Sequence, residues 1–220
     1  MIGILGGSFD PIHFGHLRLA VEVYQALGLS ELRLIPTGQP PHRSPPIARA
    51  GQRLSMVQAA IKGVPGLRVD DRELRRSGAS YTVDTLLSLR AELGAMPLCL
   101  IVGMDAFLKL NTWHRWQELP GLAHIIAAHR PGWAGEPADE IRQLLTERRV
   151  DDTERLTTSS AGCIFLCPIT QLDISSSQIR RLIAERNSAS FLLPESVLKI
   201  IKTENLYSTV HKENRCDSIA

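Results

Sequence analysis

The chain has 220 residues, of which 44% are hydrophobic and 22% are charged, and its formal net charge is +2. These fractions lie near the averages of globular proteins and exclude a disordered, collagen-like or coiled-coil chain. Charges of both signs are interspersed without a long basic block, which argues against nucleic acid as a partner and leaves anionic small molecules. A chain of this length is expected to form one domain.

Short apolar runs that alternate with amphipathic segments predict strands that alternate with helices. The predicted strands span residues 2–5, 32–36, 67–69, 98–102, 125–128 and 164–167, and the predicted helices span 17–27, 52–62, 83–93 and 141–148. Runs such as "LCLIV" are apolar at every position, which is typical of strands buried on both faces of a parallel sheet. The order predicts the α/β class with an open, doubly wound parallel sheet.

In such a sheet, ligands bind at the loops that follow the carboxyl ends of the strands. The first of these loops reads "GGSFDPIHFGH", from Gly6 to His16. Gly6 and Gly7 let a phosphate approach main-chain N–H groups, and the start of the next helix adds a partial positive charge. The spacing of His13 and His16 allows both imidazoles to lie on one side of the turn. The loop lacks the patterns of a dinucleotide fold and of a P-loop, but its order of residues predicts an anion site.

The end of the chain follows another pattern. The stretch "ISSSQIRRLIAE" from Ile174 predicts a helix with serines as N-cap candidates, and a final helix is predicted from Pro194. We expect a single domain over residues 1–207, with a small helical part at about 174–207 and a flexible tail at 208–220.

The N-terminal apolar run is too short for a signal or a membrane helix, so we expect a cytoplasmic location without membrane contact. Cys163 and Cys167 have no matching second pair, and no metal site built from side chains is expected.

Two of these stretches carry a resemblance to a known superfamily. "GGSFDPIHFGHL" resembles the first motif of the nucleotidyltransferases with the H-x-G-H signature, and "ISSSQIR" resembles their second signature, usually written I-S-S/A-T-x-I-R. Within that superfamily, "PPHR", "RELRRSGASYTVDTL", "IVGMDAF", "TWHRW" and "HRPG" are similar to the bacterial nicotinate-nucleotide adenylyltransferase pattern. The resemblance runs from Met1 to about Tyr207. Its departures are small, since Ser177 stands where threonine is usual and keeps the hydroxyl.

This resemblance implies a Rossmann-like nucleotidyltransferase fold and a defined reaction. The family transfers the adenylyl group of ATP to nicotinate mononucleotide in NAD biosynthesis, which yields nicotinate adenine dinucleotide and pyrophosphate. The implied cofactor is Mg²⁺, held mainly through the ATP phosphates. ATP and nicotinate mononucleotide are therefore the expected partners, while the oligomeric state is left open.

The resemblance also implies a set of residues around ATP. His13 and His16 would hold the phosphates, and His16 is the first candidate for stabilising the transition state. The run of serines at 175–177 leaves open which hydroxyl contacts phosphate. The full set is Gly6, Gly7, Ser8, Phe9, His13, His16, Arg43, Asp105, Arg130, Ser176, Ser177 and Arg180.

Roles follow for the outlying members of that set and for the acceptor side. Arg43 would clamp a phosphate, Asp105 would accept from ribose hydroxyls or bind metal-held water, and Arg130 would line the adenosine side. The pyridine ring and its carboxylate would be recognised by aromatic contact and by N–H or hydroxyl donors. The residues expected there are Tyr81, Thr82 and Trp113, with Trp116 as the alternative aromatic residue.

Three alternatives share parts of this pattern. Another H-x-G-H adenylyltransferase, acting on nicotinamide mononucleotide or phosphopantetheine, would share the ATP half. A regulatory module could bind the nucleotide without catalysis. A class I aminoacyl-tRNA synthetase would need a K-M-S-K-S-like loop and tRNA-binding modules, which this sequence lacks.

Overall fold

A computed structural model describes residues 1–40, 45–129, 136–170 and 172–208. In these residues the strands are β1 (Ile2–Gly7), β2 (Glu31–Pro36), β3 (Leu67–Val69), β4 (Leu98–Gly103), β5 (His124–His129), β6 (Arg149–Val150) and β7 (Ile164–Pro168). They form one sheet in the order β3-β2-β1-β4-β5-β7-β6, and every pair is parallel. The order extends from β1 in both directions, so the open, doubly wound parallel sheet expected from the sequence is confirmed.

Helices connect these strands and complete the chain. In the described residues they are α1 (Phe14–Ala26), α2 (Ala50–Ile61), α3 (Arg72–Arg75), α4 (Thr82–Leu93), α5 (Met104–Phe107), α6 (Leu119–Leu122), α7 (Asp139–Arg148), α8 (Ser176–Ala184) and α9 (Glu195–Thr203). Short 3-10 turns occupy Leu110–Thr112, Trp116–Glu118 and Thr153–Leu156. No helix in the described ranges has the length and apolar character needed to span a membrane.

The sheet separates two hydrophobic cores. Successive residues of β4 alternate between them: Leu98 and Leu100 belong to one core, whereas Cys99 and Ile101 belong to the other. This alternation follows from the two-residue period of a strand, and it explains why "LCLIV" is apolar throughout. Helices α1, α2, α8 and α9 contribute to the core that contains Cys99 and Ile101, and α4 to α7 contribute to the core that contains Leu98 and Leu100.

The C-terminal helices pack on the same core as α2. Gln52 in α2 donates to Glu204 at 2.7 Å, and the Ser196 hydroxyl at the start of α9 donates to the Ala59 carbonyl at 3.1 Å. α8 buries Ile179 completely in that core. The chain from 209 onward, where a flexible tail was predicted, lies outside the described residues.

The structure differs from the sequence prediction mainly in short elements. β6 has two residues and the helices at Arg72–Arg75, Met104–Phe107 and Leu119–Leu122 have four each. Elements this short carry no hydrophobic period, so they give no sequence signal. α1 begins at Phe14, three residues before the predicted start, because the helix begins directly after the extended residue His13.

Candidate active site

The loop between β1 and α1 is packed on one side and open on the other. A Cβ at Gly7 would lie 2.8 Å from the ring of Phe9, which is fully buried. Phe9 has a φ of 47°, in the left-handed region that non-glycine residues rarely adopt. A Cβ at Gly6 would meet nothing within 4 Å, so the backbone there faces open space. An anion can therefore approach this loop from the Gly6 side.

His13 and His16 stack against each other at the start of α1. Their ring centroids are 3.8 Å apart with an interplanar angle of 30°. His13 is extended and precedes the helix, while His16 lies in its first turn and meets the Phe9 ring edge-on at 5.1 Å. A Cβ at Gly15 would be 3.0 Å from the His13 ring, so glycine leaves room for the stacked arrangement.

Both histidines are neutral at pH 7 in the free protein. Burial lowers the pKa of His13 to about 4. Burial, together with the charge of His13, lowers the pKa of His16 to about 3. Part of the His16 residue is accessible to solvent, but the Nδ1 atoms of both rings are buried and bond to none of the described residues. A neutral imidazole still has one N–H to donate, so the pair can bind phosphate oxygens without an initial charge.

The start of α8 docks on the same loop. The Ser176 hydroxyl donates to the Pro11 carbonyl at 2.9 Å, and Arg180 Nη1 donates to the Asp10 carbonyl at 2.8 Å. The two motifs that lie about 160 residues apart in sequence are therefore in direct contact. The positive end of the α8 dipole and its free N–H groups lie beside the histidine loop.

The three serines at the start of α8 have different surroundings. The Ser175 Oγ accepts from the Gln178 N–H at 3.2 Å and caps the helix. The Ser176 hydroxyl is engaged with Pro11. Ser177 is exposed, and its Oγ lies 3.1 Å from that of Ser175. Ser177 is thus exposed without a main-chain partner for its hydroxyl among the described residues, and which of the three hydroxyls contacts a ligand stays a prediction.

Asp10 in this loop is buried and accepts hydrogen bonds from several segments of the chain, whereas the sequence indicated only its part in an Asp-Pro turn. Its carboxylate accepts from the Ile47 N–H at 2.8 Å, the Ala48 N–H at 3.1 Å and the Tyr207 hydroxyl at 2.7 Å. Arg180 Nη1 lies 3.9 Å from the same carboxylate. Burial and the charge of Asp10 raise the pKa of Tyr207, which therefore remains a hydrogen-bond donor. Asp10 therefore joins the loop after β1 to the segment before α2 and to the last described turn.

Arg53 in α2 was also missed by the sequence analysis. Its side chain is 2% exposed, and it donates at 2.7 Å to the carbonyls of Ser8 and Thr37. An arginine in an amphipathic helix is usually a solvated surface charge, and nothing in the neighbouring sequence distinguishes Arg53 from such a residue. Only the packing of α2 on the loops after β1 and β2 reveals this contact.

The expected acceptor residues lie at the start of α4 and after β4. Tyr81 precedes α4, Thr82 is its first residue, and the Tyr81 ring meets His114 at a centroid distance of 4.1 Å. Trp113 and Trp116 are both half-buried against the same core as Tyr81. The preference for Trp113 therefore stays a prediction.

Of the remaining residues predicted to contact ATP, only Asp105 lies among the residues that the structure describes. Asp105 is exposed in the first turn of α5, directly beyond the carboxyl end of β4. It shares the carboxyl edge of the sheet with the histidine loop, because all the described strands are parallel. Arg43, its neighbour His42 and Arg130 lie outside the described residues.

An open parallel sheet with paired histidines after its first strand, faced by the N-terminus of a serine-rich helix, is the arrangement implied by the resemblance to the nucleotidyltransferases. The profile of the Cytidylyltransferase-like family matches residues 4–182. The chain belongs to this family, as the two motifs led us to expect.

Relatives with high identity carry one name. A Methylococcus capsulatus protein named "Probable nicotinate-nucleotide adenylyltransferase" is 50% identical over 209 residues, which cover 94% of this chain and 100% of the relative. An Acidithiobacillus ferrooxidans protein of the same name is 47% identical over 94% of this chain and 95% of its own.

A solved structure supports the fold. The Plasmodium falciparum nicotinic acid mononucleotide adenylyltransferase, complexed with NaAD, superposes with a TM-score of 0.74 at 18% identity. The match covers 95% of this chain and 98% of that one. The expected nucleotidyltransferase fold is confirmed.

Proposed function

We propose that this chain transfers the adenylyl group of ATP to nicotinate mononucleotide, forming nicotinate adenine dinucleotide and pyrophosphate in NAD biosynthesis. The observation that carries the proposal is the contact between the histidine loop and the N-terminus of α8, which brings two distant motifs together and supports one shared anion site. Relatives that are 47–50% identical over nearly the whole chain bear the name of this activity.

The reaction is an in-line displacement at phosphorus. A phosphate oxygen of nicotinate mononucleotide attacks the α-phosphorus of ATP and forms a new P–O bond. The bond from the α-phosphorus to the bridging oxygen breaks, and its electron pair leaves with pyrophosphate. The attacking phosphate is already an anion near neutral pH, so no general base is needed. The protein mainly positions the two anions and stabilises the charge that grows on pyrophosphate.

His13 and His16 are the first residues to which we assign this stabilisation. Their rings are fixed by stacking and by the Phe9 edge, so their donors need little reorganisation during the reaction. Both imidazoles are neutral in the free protein because burial disfavours their charge. A bound triphosphate raises the pKa values of nearby histidines, since an opposite charge favours the protonated form. ATP binding should therefore be accompanied by proton uptake below neutral pH.

The remaining phosphate contacts come from the loop backbone and from α8. Gly6 lets the triphosphate approach, the main-chain N–H groups of Gly7, Ser8 and Phe9 are the proposed donors beside it, and the exposed Ser177 hydroxyl is proposed to donate to it. Arg180 uses Nη1 on the Asp10 carbonyl, which leaves its other N–H groups for phosphate. Ser176 supports the site through Pro11. Arg43 and Arg130 are proposed for phosphate and adenosine on the resemblance alone.

Mg²⁺ is the divalent ion proposed to accompany ATP. Asp105 offers exposed carboxylate oxygens at the carboxyl edge, which suit Mg²⁺ through bound water, and ATP supplies further oxygen ligands. Asp105 would otherwise accept from ribose hydroxyls. When bound, the ion neutralises charge on the phosphates.

The acceptor is assigned to the start of α4. Tyr81 and Trp113 present half-buried rings that could contact the pyridine, and Thr82 offers a hydroxyl and a main-chain N–H to the carboxylate. The N-terminus of a helix stabilises a carboxylate more than a neutral amide, which favours nicotinate mononucleotide over nicotinamide mononucleotide.

One assay tests the function and its alternatives. Purified protein with ATP and Mg²⁺ is given nicotinate mononucleotide, nicotinamide mononucleotide or phosphopantetheine, and pyrophosphate release is followed. We expect the highest kcat/KM with nicotinate mononucleotide. Turnover of phosphopantetheine but not of nicotinate mononucleotide would overturn the proposal. ATP binding without pyrophosphate release in the presence of any of the three acceptors would instead identify a regulatory module.

A further inference from the structure

Arg53 joins the ends of two neighbouring strands. Ser8 and Thr37 are the first residues after β1 and β2, and each gives its carbonyl oxygen to one terminal nitrogen of the Arg53 guanidinium at 2.7 Å. The Nε of Arg53 donates to the Ala48 carbonyl at 3.3 Å. The planar, forked guanidinium holds such partners at a defined separation, which a lysine cannot do.

Stability alone is a poor explanation for this arrangement. Arg53 is 2% exposed and its hydrogen bonds go to neutral carbonyls, while the carboxylates of Asp10 and Glu73 act on it only through space and do not offset its burial. Burying a charge in this way is costly, and an apolar side chain of similar volume often packs at least as well. The burial of Arg53 therefore points to a role in placing the carbonyls to which it bonds.

The partners of Arg53 lead directly to the histidine loop. Ser8 follows the glycines and precedes Phe9, whose ring meets His16. The Ala48 carbonyl accepts from Arg53 and the Ala48 N–H donates to Asp10, so two side chains hold the backbone of the same residue in place. Through these contacts, the loop after β1 is tied to the loop after β2 and to the start of α2.

We propose that Arg53 is a positioning residue for adenylyl transfer, which holds the peptides after Ser8 and Thr37 in their reactive arrangement before ATP binds. This inference rests on the proposed function. Arg53 touches no reacting atom and acts through the loop that carries His13 and His16. A displacement of about 1 Å in such a loop can reduce a rate on the order of 100-fold.

Arg90 offers a matched control at the opposite edge of the sheet. Arg90 is half-buried whereas Arg53 is buried, but its guanidinium likewise binds main-chain carbonyls, and burial lowers the pKa of both arginines. Its partners precede strands at the amino edge, far from the proposed chemistry: they are Gly94, Met96, Leu122 and Ser160. Loss of either arginine should reduce stability, but only Arg53 should affect the reaction.

The experiment compares Arg53→Lys with Arg90→Lys in the full chain. Both are assayed by pyrophosphate release, at a temperature where circular dichroism shows each to be folded. We expect kcat of Arg53→Lys to fall about 10- to 100-fold with little change in KM for nicotinate mononucleotide, and Arg90→Lys to keep both constants. Added guanidinium should restore part of the activity of Arg53→Ala in a saturable manner and have no such effect on Arg90→Ala.

Three outcomes separate the possible failures. Unchanged kcat in folded Arg53→Lys would overturn the positioning role while wild-type turnover upholds the function. A wild-type protein that releases no pyrophosphate would overturn the function itself. If the Arg53 variants do not fold, amide exchange in the wild type decides: protection of the Phe9 amide without ATP supports a preset loop, and exchange at the rate of an unstructured peptide overturns it.

Discussion

The neutral histidine pair predicts a specific loss of stability in acid. His13 has a pKa of about 4 in the folded protein and an ordinary value of 6.5, so between these values the unfolded chain binds more protons. The part of the folding stability that depends on His13 being neutral is fully present above pH 6.5 and is lost as the pH falls toward 4. From these two pKa values, His13 by itself should lower the free energy of unfolding by about 2 kcal/mol between pH 8 and pH 5. His16 changes stability in the same direction, because its pKa is also lowered.

His13→Gln removes this titration while keeping a polar side chain. Urea unfolding of the wild type and the variant at pH 5, 6, 7 and 8 measures the difference in slope. The variant should lose about 2 kcal/mol less than the wild type between pH 8 and pH 5. Parallel curves for His13→Gln and the wild type would refute the reasoning that burial keeps His13 neutral.

Three further predictions concern the site. His16→Ala should lower kcat on the order of 100- to 1000-fold, because one preorganised donor is lost, while calorimetry shows the fold retained; normal turnover would contradict the assigned role. Ser177→Ala should lower kcat/KM for ATP about tenfold, whereas Ser176→Ala should mainly cost about 1 kcal/mol in urea unfolding, since it breaks the bond to Pro11. The reverse pattern would exchange their roles. Tyr81→Ala should raise KM for nicotinate mononucleotide about 3- to 10-fold in steady-state assays and leave KM for ATP unchanged; a selective effect on ATP would contradict its place on the acceptor side.

The sheet was predictable because each long strand is buried on both faces. Leu98–Gly103 shows this most clearly, since its side chains enter two cores alternately and the sequence is apolar without interruption. Arg149–Val150 was not predictable, because a two-residue edge strand has no period of its own. The C-terminal helices were predictable from their serine and proline starts.

The candidate site was predictable where its residues are close in sequence. Glycines, an Asp-Pro turn and two histidines stand together in one strand-to-helix loop, so their chemistry could be judged locally. The loop at "PPHR" and the Arg130 stretch lie outside the described residues, and their roles remain predictions. The acceptor residues Tyr81, Thr82 and Trp113 also remain predictions, since both tryptophans are half-buried on the same core.

The sequence by itself determined the α/β sheet and an anion-binding loop with paired histidines, because strand burial and loop chemistry are written in neighbouring residues. Only the tertiary structure decided which serine bonds to Pro11, that both histidines are neutral, and that Asp10 and Arg53 organise the loop. Ser176 is engaged by Pro11 across the chain, and the low pKa of His13 arises from burial. These properties depend on contacts between distant segments and on exclusion of water, neither of which a local pattern contains.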